Sequence, residues 1–267
     1  MPLAVCATPI GNLDDVTLRV LAELRAADIV LCEDTRHTRV LLERHRIRAR
    51  LLSYHEHNEA RRTAELLPRL AGGERVVLVS DAGMPGINDP GARLISAARE
   101  AGVEVTVLPG ASAVETALVS SGLVGERYQF LGFLPRGAQA LSRLWKELEA
   151  YPHPAVAFES PQRLPATLRS LAEADPSRRV AVCRELTKRF EEVVTATAAE
   201  LASRFAEAPK GEVTLVIGAA TGGDDAGPDA AAAVAELVTA GASRRIAADV
   251  VSRLTGVARN ALYRRTL

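Results

Sequence analysis

Short aliphatic and β-branched runs alternate with amphipathic runs over the first hundred residues, and this regularity limits the fold more than any other feature of the chain. Residues 3–7, 29–32, 51–54, 76–79 and 103–108 read as strands, and residues 15–26, 36–46, 57–70 and 91–101 between them read as helices. In the first helix Val16, Leu18, Val20, Leu21 and Leu24 include the i, i+3, i+4 spacings of a buried stripe, with Asp14 or Asp15 placed as its cap. A helix between each successive pair of strands calls for crossover connections, and crossovers join parallel strands.

A second block begins near Ser120. Residues 128–137 read as a strand running into a turn, 139–149 as a helix, 155–160 as a strand and 161–174 as a helix with Pro161 in its first turn. Three more strands are expected over 180–186, 191–197 and 212–218, and the short gap between the first two suits a hairpin, so this sheet is expected to be mixed. The Gly, Asp and Ala-rich stretch 221–233 reads as a linker. Beyond it Ile246, Val250 and Leu254 share a helical face, Gly256 is a stop signal, and residues 257–265 suit a second short helix. The segment 243–267 carries six arginines against Asp249, which is a helix-turn-helix outline or, equally, a solvated helical tail. The expected α/β organisation is an N-terminal domain over 1–118 with a mostly parallel, Rossmann-like sheet, a C-terminal mixed-sheet domain over 119–220, and a basic helical tail over 229–267.

A chain of 267 residues is long enough for two cores. Its 33 basic and 33 acidic residues cancel, so any nucleic-acid surface has to be local. Cys6, Cys32 and Cys183 sit in or beside apolar runs without C-x-x-C spacing and read as reduced, buried thiols. No segment approaches the roughly 18 apolar residues of a membrane span. The expected location is the cytoplasm.

Polar and glycine-rich residues follow all five strands of the first block: "TPIGN" (8–12), "EDTRHT" (33–38), "HEHN" (55–58), "SDAGMPG" (80–86) and "PGAS" (109–112). Open parallel sheets bind ligands at that edge. The longest loop, "SDAGMPGINDPG" (80–91), is not a phosphate cradle, for neither G-x-G-x-x-G nor a Walker pattern occurs. Pro85 and Pro90 lack the N–H donors that an anion needs, and Asp81 and Asp89 would repel it. Such a loop suits a cationic or amine-bearing ligand, unless Asp81 merely caps a turn. His37, His55 and His57 with Glu33 and Asp34 form a weak metal pattern, and no G-x-S-x-G elbow supports a nucleophilic serine.

In order, "ATPIGNLDDVTLRVL", "CEDTRHT", "SDAGMPGINDPG", "PGASAVETAL", "GFLPR", "FESPQR" and "KGEVTLVI" resemble the tetrapyrrole methylase superfamily over about residues 3–218, and the basic tail resembles that of its RNA-modifying branch. The resemblance implies two α/β domains with S-adenosyl-L-methionine in the cleft between them, and a homodimer. It also implies methylation of a cytidine ribose 2′-hydroxyl in small-subunit (16S) ribosomal RNA, free or in the assembled subunit. By motif it implies cofactor contacts at Ile10, Gly11, Asp81, Gly83, Met84, Ser112 and Ala113, and by strand order at Phe158, Cys183 and Val213. A tetrapyrrole C-methyltransferase and a cofactor-binding module without catalysis remain open beside it.

Methyl transfer to a ribose hydroxyl needs in-line alignment and a destination for the hydroxyl proton. Glu33, Asp34 and Arg36 are the catalytic candidates, with His37, His55 and Glu159 as further proton acceptors and Asn12 as an orienting group; an ion pair that orders the loop is the competing role for the first three. Arg136, Arg244, Arg245, Arg259 and Arg264 are the candidate RNA-binding groups. Arg36, Arg39, Arg163, Arg184, Lys188 and Arg189 lie near the same edge, with Phe133 and Tyr54 as candidate stacking surfaces.

Overall fold

The computed structural model describes residues 2–220, 227–255, 259 and 262. Met1–Ser120 with Cys183–Glu192 form one unit, and Ser121–Val182 with Val193–Leu267 form another. Among the described residues no helix is long and apolar enough to cross a membrane.

In the first unit β1 (Leu3–Cys6), α1 (Leu18–Ala26), β2 (Ile29–Cys32), α2 (Thr35–Arg44), β3 (Leu51–Ser53), α3 (Glu59–Ala71), β4 (Val76–Val79), α4 (Ala92–Glu100), β5 (Val105–Leu108) and α5 (Ala113–Ser121) follow in sequence. The strands form one sheet in the order β3-β2-β4-β1-β5, and the pairings are parallel as expected. Alternate residues of the strands feed two cores. Leu3, Val5, Ile29, Leu31, Val76 and Leu78 pack with Leu66 and Leu70 of α3 and Leu94 of α4. On the other face Ala4, Cys6, Val30, Cys32, Val77 and Val79 pack with Val20, Leu21 and Leu24 of α1. Burial on both faces is why these strands read as unbroken aliphatic runs.

The start of α1 differs from expectation. Leu13–Asp15 form a 3-10 turn, and Thr17, whose hydroxyl accepts from the Val20 amide, is the cap. Leu18 then falls on the outer face, 85% exposed, and the buried stripe begins at Val20.

The second unit contains β6 (Gln129–Phe133), α6 (Ala138–Glu149), β7 (Ala155–Glu159), α7 (Leu164–Ala174), β8 (Arg179–Arg184), β9 (Glu192–Thr197), α8 (Ala198–Arg204) and β10 (Val213–Ile217). Its sheet runs β6-β7-β10-β8-β9; β6 is parallel to β7 and β7 antiparallel to β10, a mixed sheet as expected. The proline in the first turn of α7 is Pro165 and not Pro161, because residues 161–163 form a turn ahead of the helix. Thr197 and Glu200 form a capping box that starts α8.

The tail corrects two expectations. Residues 227–233 lie inside α9 (Gly227–Thr239) rather than in a linker, as the alanine run 230–233 favours; residues 221–226 fall outside the described residues. In α10 (Arg244–Thr255) the buried face is Ala247, Ala248 and Val251, packed with Ala230 and Val234 of α9. Small side chains let the two helices approach closely. Ile246 and Leu254 of the expected stripe face solvent instead, 60% and 80% exposed. Gly256 and most of the expected helix 257–265 lie outside the described residues.

Candidate functional site

The connection out of β2 leads to β3 and that out of β4 leads to β5, on opposite sides, so two neighbouring strands send their chains apart. Such divergence opens a crevice at the carboxyl ends of the strands. The loop after β4 fills its rim and is tied to the loop after β1. The Thr8 amide donates to the Gly83 carbonyl at 2.9 Å and the Gly83 amide to the Thr8 carbonyl at 3.1 Å. Ser80 Oγ also donates to the Gly83 carbonyl, at 3.0 Å. Gly83 holds φ at +77°, and a Cβ there would lie 3.8 Å from both the Ala111 carbonyl and Ile10 Cγ2. Ile10, Gly83 and Ala111, from the loops after β1, β4 and β5, therefore meet at one point, with Met84, Ser112 and Ala113 beside them in sequence. The Ser112 hydroxyl is engaged by the Glu115 carboxylate at the start of α5.

Asp81 sits between the loops after β4 and β2: its Oδ1 accepts the Asp34 amide at 3.1 Å. Asp34 in turn caps α2 through the Arg36 amide at 2.8 Å, and binds the Arg36 guanidinium with both oxygens. That guanidinium and two amides hold the Asp34 carboxyl well below the usual carboxylate range. Asp34 and Arg36 thus form the loop-ordering pair. Glu33 has the opposite character: partial removal from water and then the Asp81 charge raise its carboxyl, while His55 works the other way. Asp89 is pushed up to about 6 by burial first, then by Glu33 and Asp81, with Ser80 opposing. Asp89 is the residue that sequence reasoning passed over. It stood out there only as an anion repeller, and of the groups that act on it Glu33 comes from another loop.

Gly11 serves a packing need. A Cβ at this position would stand 2.6 Å from Thr187 Oγ1 and 2.7 Å from the Leu186 carbonyl, and the next amide, of Asn12, donates to Thr187 Oγ1 at 2.9 Å. Residues 183–192 belong to this unit, so the turn after β8 is part of the floor of the first loop. Cys183 lies within it with a buried thiol, pushed up to about 12 by burial and then by Glu191, and its Sγ donates to the Ala117 carbonyl at 3.7 Å.

In the second unit Phe158 is half-buried between the rings of Phe130 and Phe133, in edge contacts with centroids 5.1 and 5.5 Å away. The Val213 side chain is packed in the core. Glu159 is buried and fully engaged, accepting from Thr167 Oγ1 at 2.6 Å and the Ser160 amide at 2.7 Å, with Arg163 3.3 Å away. Arg163 also donates to the carbonyls of Leu134 and Pro135, so both residues brace the "FLPR" and "FESPQR" segments. Tyr54, a candidate stacking surface, is buried, with its hydroxyl 3.1 Å from Thr63 Oγ1, and no base can reach it. Arg136 and Arg245 are exposed and Arg244 partly so; Arg259 is 3.9 Å from Asp249, and Arg264 lies outside the described residues.

The family of tetrapyrrole (corrin/porphyrin) methylases matches residues 2–202. A protein of Mesorhizobium japonicum named ribosomal RNA small subunit methyltransferase I is 45% identical over 99% of this chain and 91% of its own length. A protein of the same name from Escherichia coli O157:H7 is 39% identical over 99% of this chain and 94% of its own length. A third, from Thermotoga maritima, is 45% identical over 80% of this chain and 97% of its own length. Among solved structures, diphthine synthase superposes with TM-score 0.64 at 18% identity, covering 81% of this chain and 89% of its own. Cobalt precorrin-4 methyltransferase does so with TM-score 0.60 at 21% identity, covering 81% and 94%. At that distance the structures show the fold alone, whereas the family match and the identity to its relatives place the chain: it belongs to the tetrapyrrole methylase family, among the ribosomal RNA small subunit methyltransferase I proteins.

Proposed function

We propose that this protein transfers the methyl group of S-adenosyl-L-methionine to the 2′-hydroxyl of a cytidine ribose in small-subunit ribosomal RNA, in the cytoplasm and as a homodimer. The observation that carries the reading is the reach of the likeness, since relatives named for small-subunit rRNA methylation match 99% of the chain, tail included. The site chemistry agrees with the cofactor. Three carboxylates, Glu33, Asp81 and Asp89, influence one another at the strand edge, and the loop 80–91 has no lysine or arginine. That surrounding suits a sulfonium and an ammonium and disfavours phosphate.

Bound there, the cofactor supplies a methyl carbon on a cationic sulfur. Ile10, Gly11, Asp81, Gly83, Met84, Ser112 and Ala113 are proposed to hold it, with main-chain contacts from Phe158, Cys183 and Val213. Of the catalytic candidates, Glu33 is the proposed proton acceptor, because it is exposed after β2 whereas both Asp34 oxygens are taken up by Arg36. Asp34 and Arg36 keep its loop in place. Arg136, Arg244, Arg245, Arg259 and Arg264 are proposed to contact the RNA.

Methyl transfer from labelled cofactor to small ribosomal subunits, to a free tetrapyrrole and to no acceptor tests the reading. Label in RNA alone is expected, and label in the tetrapyrrole would overturn it.

A further inference from the structure

The turn between β8 and β9 is strained, and contacts from its neighbours hold it so. Glu185 and Thr187 both adopt positive φ, +53° and +64°, and a β-branched residue such as Thr187 is a genuine outlier there. Backbone held this way persists only where the surroundings over-determine it, and it gathers at functional sites. The surroundings do so here. Thr187 Oγ1 accepts the Asn12 amide, the Thr187 amide donates to Glu191 Oε2 at 2.6 Å, and Lys188 Nζ lies 2.9 Å from Glu185 Oε1. Leu186 is buried beneath, and Gly11 admits the turn by having no Cβ.

What this fixed turn displays is Arg189 and Phe190. Phe190 is 68% exposed, and the Arg189 guanidinium carbon stands 5.5 Å from its ring centroid. An aromatic ring on a rigid turn, with a cation over it, offers a π-face and a positive charge to the same ligand. Unpaired nucleotides are recognised in that way, by stacking of the base and attraction of the adjacent phosphate. The turn also borders the strand-end loop at Gly11 and Asn12, next to the proposed methyl-transfer edge.

We propose that Phe190 and Arg189 form a stacking platform for an unpaired nucleotide of the acceptor RNA. The inference rests on the RNA acceptor proposed above. Phe190→Ala in the full chain is expected to raise KM for small ribosomal subunits about 5- to 150-fold, the range seen when a base loses its aromatic partner. Cofactor affinity should stay within about twofold, since Phe190 is 68% exposed and is not among the proposed cofactor residues. Phe190→Tyr and Phe190→Trp should restore KM, and Arg189→Ala should raise it less. The added tryptophan of Phe190→Trp should be quenched by an unstructured RNA oligomer, measured against the wild-type chain with Trp145 alone.

Wild-type KM in Phe190→Ala, or equal losses in the alanine and tyrosine variants, would overturn the platform and leave the acceptor standing. A change of native mass in Phe190→Ala without a change in KM would assign the ring to a second copy of the chain and overturn it likewise. Quenching by the RNA oligomer without methyl transfer to small ribosomal subunits would support a nucleotide-binding platform and overturn the RNA acceptor proposed above. Absence of both would overturn the two together.

Discussion

The Asp34 amide donates to the Asp81 carboxylate across the divergence of β2 and β4, at 3.1 Å. One side chain thereby fixes the start of α2 and leaves its second oxygen at the strand edge. Bracing and charge separate in the Asp81→Asn variant, whose amide oxygen still accepts the bond but carries no charge. We expect its melting temperature to stay close to wild type, and its affinity for S-adenosylmethionine to fall about 3- to 10-fold, as when a charged contact becomes a neutral one. Affinity for S-adenosylhomocysteine, whose sulfur is neutral, should fall less. Calorimetric titration with both ligands checks this, and equal losses would assign Asp81 to bracing alone.

Gly11→Ala sets a methyl group against a main-chain carbonyl, that of Leu186 at 2.7 Å, and a carbonyl fixed in a packed turn gives way less readily than a side-chain end. Overpacking of this kind costs about 1–3 kcal/mol. Thermal unfolding should move down by a few degrees, and an unchanged midpoint would show that residues 186–188 move freely.

Asp89 gives a pH signature of defined sign. Its folded-state pKa of about 6 lies above its ordinary value of 3.8, so the folded chain holds the proton more tightly. The contribution of Asp89 to stability should therefore decline as pH rises from about 4 to about 6 and then level off. Asp89→Asn removes this contribution. The variant should match wild type near pH 4 and exceed it at pH 7 in chemical denaturation, and a constant difference across the range would contradict the assignment.

Arg244 and Arg245 open α10 on a helix pair with its own small core. Their joint replacement by alanine should raise KM for ribosomal subunits and lower the salt dependence of binding by about one to two counterions. Cofactor affinity should not change. Loss of cofactor binding in the double variant would make this segment structural.

The alternation of strands and helices was readable because the inner strands β1, β2 and β4 are buried on both faces and the helices between the strands have one apolar stripe. The strand-end loops were readable because polar and glycine-rich residues follow every strand of the first sheet. What periodicity left hidden depends on partners distant in sequence. Leu18 and Leu254 satisfy helical spacing yet face solvent, because Thr17 resets the first cap and the alanines of α10 give α9 a closer approach. Tyr54 sits at a strand end but turns inward to Thr63. The raised carboxyl of Asp89 depends on burial and then on Glu33, and the need for glycine at position 11 depends on Leu186 and Thr187, far along the chain.

The central claim is the atom that receives the methyl group. Small-subunit RNA labelled by the purified protein, digested to nucleosides and resolved against standards, tests it most directly. The account predicts label in 2′-O-methylcytidine that disappears in Glu33→Gln. Label on a base, or on the ribose of another nucleoside, would contradict it.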